Sequence, residues 1–108
     1  MLDGLIVKTP GEQKSFTADF TSDIVSTDTI KAVGAGSDTD VTILGTNGDD
    51  YTADMLISKT ISGRTIIVVI ALRIDYMDYL ITVTAEASTA GTKTDKLYEL
   101  RVRSGSKI

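Results

Sequence analysis

The sequence predicts an all-β sandwich, and three observations carry that reading. Residues 53–103 run strand after strand with hardly a pause, and nearly all the large apolar side chains lie there. Apolar and polar residues alternate in several short runs, which is the period of a half-buried strand. Gly, Asn, Asp and Ser cluster between the runs at a spacing of roughly 8–12 residues, as sandwich turns do. The expected count is seven to eight antiparallel strands.

The chain has 108 residues and reads as a single domain, 1–108. A domain of that length buries roughly two-thirds of its unfolded surface, enough for one core without staples. There is no cysteine, so neither a disulfide framework nor a thiolate metal site is available. There is no histidine, which removes the usual general base near neutral pH and the commonest zinc ligand. The net charge is −4, and the basic residues are scattered apart from Arg101 and Arg103. A basic face able to contact several phosphates is missing, so no nucleic-acid partner is expected. The apolar stretch 66–72 is too short to span a bilayer, and no membrane partner is expected. Residues 1–8 lack a basic region followed by an apolar run, so no signal peptide is expected.

Along the chain, residues 2–8 are short and apolar and end at the turn Thr9-Pro10-Gly11. Residues 15–20 alternate, with Phe16, Ala18 and Phe20 on one face and Thr17 and Asp19 on the other. Residues 29–33 form a weaker expected strand, and 41–44 a short one. Asn47-Gly48 favours a tight turn because both residues tolerate positive φ. A helical turn fits residues 53–57, but a strand over 53–61 ending at Ser62-Gly63 fits better. Residues 64–74 are apolar on both sides and read as a central strand, with Ile66, Val68 and Ile70 toward the core. In residues 77–87, Tyr79, Ile81, Val83 and Ala85 face in while Thr82, Thr84 and Glu86 face out. A hairpin loop over 88–94 leads to the last strand, with Tyr98, Leu100 and Val102 inward.

Tyr79 stands two residues before the core position Ile81, near the start of a late strand. That is the tyrosine-corner spacing of immunoglobulin-like sandwiches, in which the ring packs inside and the hydroxyl caps a backbone group. An alternating strand that simply begins with Tyr accounts for the same residues. Asp38, Asp40, Asn47, Asp49, Asp50 and Asp54 could offer oxygen ligands to calcium. Their spacing is not that of an EF-hand loop, and such residues are also what turns are made of, so no metal and no cofactor is expected. Catalysis lacks a base for the many Ser and Thr hydroxyls. The Asp75 and Asp78 pair reads as a solubilising pair rather than an acid–base couple. The chain is therefore expected not to be an enzyme. Ile67 and Val69 occupy the outward side of the central strand. They mark a contact surface, or a loop or the N-terminal segment covers them.

Over residues 8–103 the order of signals resembles a family of small tailed-phage virion proteins, the fiber–tail adaptor or Gp77-like proteins. The N-terminal match is Lys8-Thr-Pro-Gly-Glu12, then Phe16-Thr-Ala-Asp-Phe20 and Asp28-Thr-Ile30. The C-terminal match is Tyr79-Leu-Ile-Thr-Val-Thr-Ala-Glu-Ala-Ser-Thr-Ala-Gly91, then Glu99-Leu-Arg-Val-Arg103. The chain departs from the pattern at Phe20, where the family often carries Trp, and at Thr92, where an Arg commonly follows the loop Gly. The resemblance implies an immunoglobulin-like fold and a structural, non-catalytic place in a virion assembled in the host cytoplasm. The protein would bridge the neck or tail to fibers, in many copies within a symmetric assembly. Its partners would be other virion proteins: neck, tail, fiber or capsid subunits. Two alternatives stay open, a capsid decoration protein and a cellular adhesion or carbohydrate-binding module. A sugar binder normally shows clustered exposed aromatics, whereas the six aromatics here fall mostly on core-like positions. Residues 1–9 and 104–108 are expected to dock on neighbouring chains. The interface residues expected are Ile67, Val69, Leu2, Leu5 and Ile108.

Overall fold

The computed structural model describes residues 3–8, 13–34, 36–70 and 78–102. Seven strands and one short helix occur among them. In chain order they are β1 (Gly4–Lys8), β2 (Lys14–Asp19), β3 (Asp40–Gly45), α1 (Thr52–Met55), β4 (Leu56–Ser62), β5 (Thr65–Ile70), β6 (Asp78–Glu86) and β7 (Lys93–Val102). They form a four-stranded sheet ordered β1-β7-β6-β3 and a three-stranded sheet ordered β2-β5-β4. The order places β2-β5-β4 as the B-E-D strands of an immunoglobulin-type sandwich and β3-β6-β7 as its C-F-G strands.

Alternation decides which side chains meet between the sheets. Ala18 and Phe20, Val41 and Ile43, Ile66, Val68 and Ile70, Tyr79, Ile81, Val83 and Ala85, and Leu100 and Val102 are all buried. Burying one Ile, Val or Leu side chain stabilises the fold by about 1.5–3 kcal/mol. The Phe16 and Tyr98 rings join the two sheets at 4.7 Å between centroids. The Tyr51 and Tyr79 rings meet edge to face at 5.4 Å. Tyr79 thus holds the corner place at the start of the F-type strand, fully buried. A corner hydroxyl would reach back toward residues 71–77, which lie outside those described.

The turns follow their glycines where a positive φ is needed. Ser62 pairs with Thr65, leaving Gly63 and Arg64 as a two-residue turn in which Gly63 has φ +62°. Gly48 has φ +90° in the 45–50 loop, where its N–H donates to the Gly45 carbonyl at 2.9 Å.

Three expectations need correction. The strands are not all antiparallel, because β1 runs parallel to β7 over five residue pairs. The N-terminal residues Gly4–Lys8 are accordingly the edge strand of the four-stranded sheet. A strand over 29–33 is reduced to one bridge, Ile30 to Ala87, because the chain there turns away after a single pairing. Residues 53–61 are not one strand: Thr52–Met55 is a helical turn that buries Met55, and the strand starts at Leu56. Residues 71–74 of the expected central strand lie outside those described; Thr65–Ile70 is central in its sheet, between β2 and β4.

Two strand edges on one side are blunted. The outer edge of β3 is occupied by its own following loop. Tyr51 N–H donates to the Ile43 carbonyl at 2.8 Å, and Thr52 Oγ1 accepts from Ile43 N–H at 2.8 Å. β4 carries a bulge at Ile57 and the cationic Lys59, which pairs with Asp40 of β3. Both devices discourage strand addition.

Candidate interaction surfaces

The outer face of the three-stranded sheet is built from the odd residues of β5 and their partners. Ile67 pairs with Thr17 and Thr60, and Val69 with Ser15 and Ser58. Ile67 is 38% exposed and Val69 half-buried. Two aliphatic residues thus stand in a field of hydroxyl side chains, with Asp19 the charged residue at one end.

The outer face of the four-stranded sheet is more apolar. Leu44 of β3 pairs with Leu80 of β6, Leu80 with Glu99 of β7, and Glu99 with Leu5 of β1. Each of these residues alternates with a buried or partly buried neighbour, so all four project away from the core. Leu5 is 52% exposed, Val7 46%, and Leu44 and Leu80 38% each. Half of the exposed large hydrophobic residues among those described stand on this one face. Glu99 accepts a hydrogen bond from Arg101 Nε at 3.0 Å. A cavity of about 240 Å³ opens here, lined by Thr46, Asp78, Tyr79, Leu80 and Glu99.

The expected interface residues therefore do not form one site. Ile67 and Val69 lie on one outer face and Leu5 on the opposite one; Leu2 and Ile108 lie outside the described residues. Sequence reasoning misses Leu80, Leu44 and Val7. For Leu80 the signal was present, since the alternation that turns Tyr79 and Ile81 inward turns Leu80 outward. Leu44 becomes a neighbour of Leu80 only through register, which the sequence does not spell out.

One end of the sandwich is tied together by a buried acid. The Asp28 carboxylate accepts hydrogen bonds from the backbone N–H groups of Thr29, Thr89 and Ala90 at 2.8–3.2 Å. The Ala90 and Thr29 N–H groups foremost hold its carboxyl below the usual value. Ser88 N–H donates to the Thr29 carbonyl at 2.8 Å, and Lys31 N–H to the Glu86 carbonyl at 2.8 Å. Residues 28–31 and 86–90 thus meet in space. Arg64 adds a second tie, donating from one guanidinium nitrogen to the carbonyls of Thr21 and Ile24 at 2.9 and 3.0 Å.

The loop carboxylates weighed as calcium ligands have protein partners. Asp38 pairs with Lys93 at 2.7 Å, and Asp40 with Lys59. The Lys59 hydrogen bond holds the Asp40 carboxyl below its usual value. Asp50 accepts from Thr52 Oγ1 at 2.6 Å and from Thr52 N–H at 2.8 Å. Asp49 accepts from Asn47 at 3.2 Å. No group of three or more such side chains is placed to hold a metal ion among the described residues. Nor is any helix among them long and apolar enough to cross a membrane.

Compared with protein-family models, the chain matches none, and it matches no curated protein.

Proposed function

We propose that this protein is a structural, non-catalytic subunit of a tailed-phage virion, bridging the neck or tail to fibers through its outer sheet faces. The observation that carries the reading is the row Leu44–Leu80–Glu99–Leu5, with Val7 beside it, on the outer face of the four-stranded sheet. Exposed aliphatic residues gathered on one face, here as the pairs Leu44–Leu80 and Leu5–Val7 on either side of Glu99 and Arg101, mark a contact surface. The resemblance in residues 8–30 and 79–103 supplies the class of particle. The meeting of those two segments at Asp28 is in keeping with it, because it gives them a shared structural task.

Area favours many copies. A face of four strands by about five residues covers roughly 300 Å² at the usual strand spacing and rise. A stable interface buries about 800 Å² per partner. One such face binds weakly alone, and repetition in a symmetric assembly multiplies the contact. A sugar-binding module is the weaker reading. The exposed large hydrophobic residues among those described are aliphatic, whereas stacking on sugars calls for aromatic ones.

Immunogold labelling of purified particles, with antiserum to the isolated chain, tests the proposal. Label at the neck or tail is the expected result. Label over the capsid would favour the decoration alternative, and unlabelled particles would refute a virion role.

A further inference from the structure

The acidic character of the four-stranded face selects its partner. Leu44, Leu80 and Leu5 share one register row, with Glu99 between Leu80 and Leu5. Asp78 and Arg101 pair on one flank of that row, and Asp95 stands on the other side of it. On the outward positions of β6 and β7, Asp78, Glu86, Asp95 and Glu99 thus outnumber Lys93 and Arg101, among the described residues. The cavity of about 240 Å³ has Asp78, Leu80 and Glu99 in its lining, with Glu99 across from Leu80 and Asp78 two residues before it on β6. The opposite outer face has no such bias, because Ile67 and Val69 are framed by Ser and Thr. A second copy of the chain docked face to face would bring like carboxylates together, and a nucleic acid would be repelled.

We infer that this face docks a protein segment that presents an aliphatic side chain beside a lysine or arginine. The aliphatic group would cover Leu44 and Leu80, and the cation would approach the cavity that Asp78 and Glu99 help to line, adding to the contact Arg101 already makes. Lysine and arginine suit the site because their methylene stems lie along apolar surface while the charged head reaches a carboxylate. Arg101 already holds Glu99 in place, so that carboxylate is oriented before the partner arrives. The inference rests on the proposed docking role and names the chemistry of the partner.

The test is a titration of ¹⁵N-labelled protein with a capped peptide of alternating valine, lysine, leucine, arginine and valine. A matched peptide with glutamate and aspartate at the basic positions is the control. The basic peptide should shift the amides of Leu5, Leu44, Leu80 and Glu99, and high salt should weaken it. Glu99→Gln and Leu80→Ser should each raise its Kd by roughly fivefold or more, which is about the loss of one good contact. Ile67→Ser, on the opposite face, should leave the Kd unchanged; dispersed spectra establish that each variant is folded. The inference is overturned if the acidic peptide shifts the same amides equally, if neither peptide binds, or if Ile67→Ser weakens binding as much as Leu80→Ser. Labelled particles without peptide binding would sink the basic partner alone. Peptide binding by a chain missing from particles would sink the virion role alone.

Discussion

Ile81 sits at the centre of the four-stranded sheet, fully buried and paired with Ile43 on one side and Tyr98 on the other. Replacing it by Ala removes buried methyl and methylene groups from a site flanked on both sides by packed strands. Ile81→Ala should cost about 2–5 kcal/mol in a denaturant titration. A loss below about half a kcal/mol would mean that the side chain does not face the core. Inward positions of this kind were legible in the sequence because a strand has a fixed period of two. Asp28 was not legible in the same way. Two of its three N–H donors, those of Thr89 and Ala90, come from 61 and 62 positions further along, and no local pattern announces such a meeting. Its carboxyl is held below the ordinary value in the fold, so it contributes stability above the usual carboxylate range. That contribution is lost as pH falls through and below the folded value. Asp28→Asn should therefore flatten part of the acid limb of a stability–pH curve. An unchanged acid limb would show that the Asp28 hydrogen bonds do not hold this end together.

At the scale of elements, β1 is the strand whose placement the sequence left open. Residues 4–8 read only as a short apolar run, and a parallel partner 94 positions away has no local signature. Gly4 is the residue that lets β1 lie against β7. A Cβ built on it would come within 2.9 Å of the Tyr98 ring, which packs against Phe16. Gly4→Val should cost about 1–3 kcal/mol as an overpacked contact. Amide exchange should quicken in β1 while β5 and β6 keep their protection; no change at β1 would mean that the close approach does not exist. The hairpin partners β4–β5 and β6–β7 were legible for the opposite reason, since a short loop between alternating runs leaves few ways to pair. The expected strand at 29–33 failed because its partner, β6, ends one residue before the bridge at Ala87. The helical turn at Thr52–Met55 beat the strand for a tertiary reason. Tyr51 and Thr52 are held on the edge of β3, and the turn carries Met55 into the core.

For the whole molecule, the two sheets leave two unlike outer faces. The three-stranded face is low in charge and carries Ile67 and Val69; the four-stranded face is acidic and carries Leu5, Val7, Leu44 and Leu80. The sandwich class was legible because turn spacing and alternation are local. The division of surface residues between the faces was not, because it depends on which strands become neighbours. Val69→Asp should leave the chain folded, since Val69 projects outward between Ser15 and Ser58. It should reduce incorporation into particles by placing an unpaired carboxylate at the contact. An unfolded Val69→Asp would put Val69 in the core, and normal incorporation would free the three-stranded face from contact. The central claim is that the acidic apolar face of the four-stranded sheet is the docking surface, and Leu80→Lys addresses it directly. The new ammonium lies near Asp78 and Glu99 of its own chain, so the variant should fold and melt within a few degrees of wild type. It should fill the cavity and repel a basic partner. The decisive measurement is the amount of Leu80→Lys chain in purified particles when it replaces the wild-type chain. The account predicts a folded variant that is missing from particles; a folded variant incorporated at the wild-type level would contradict it.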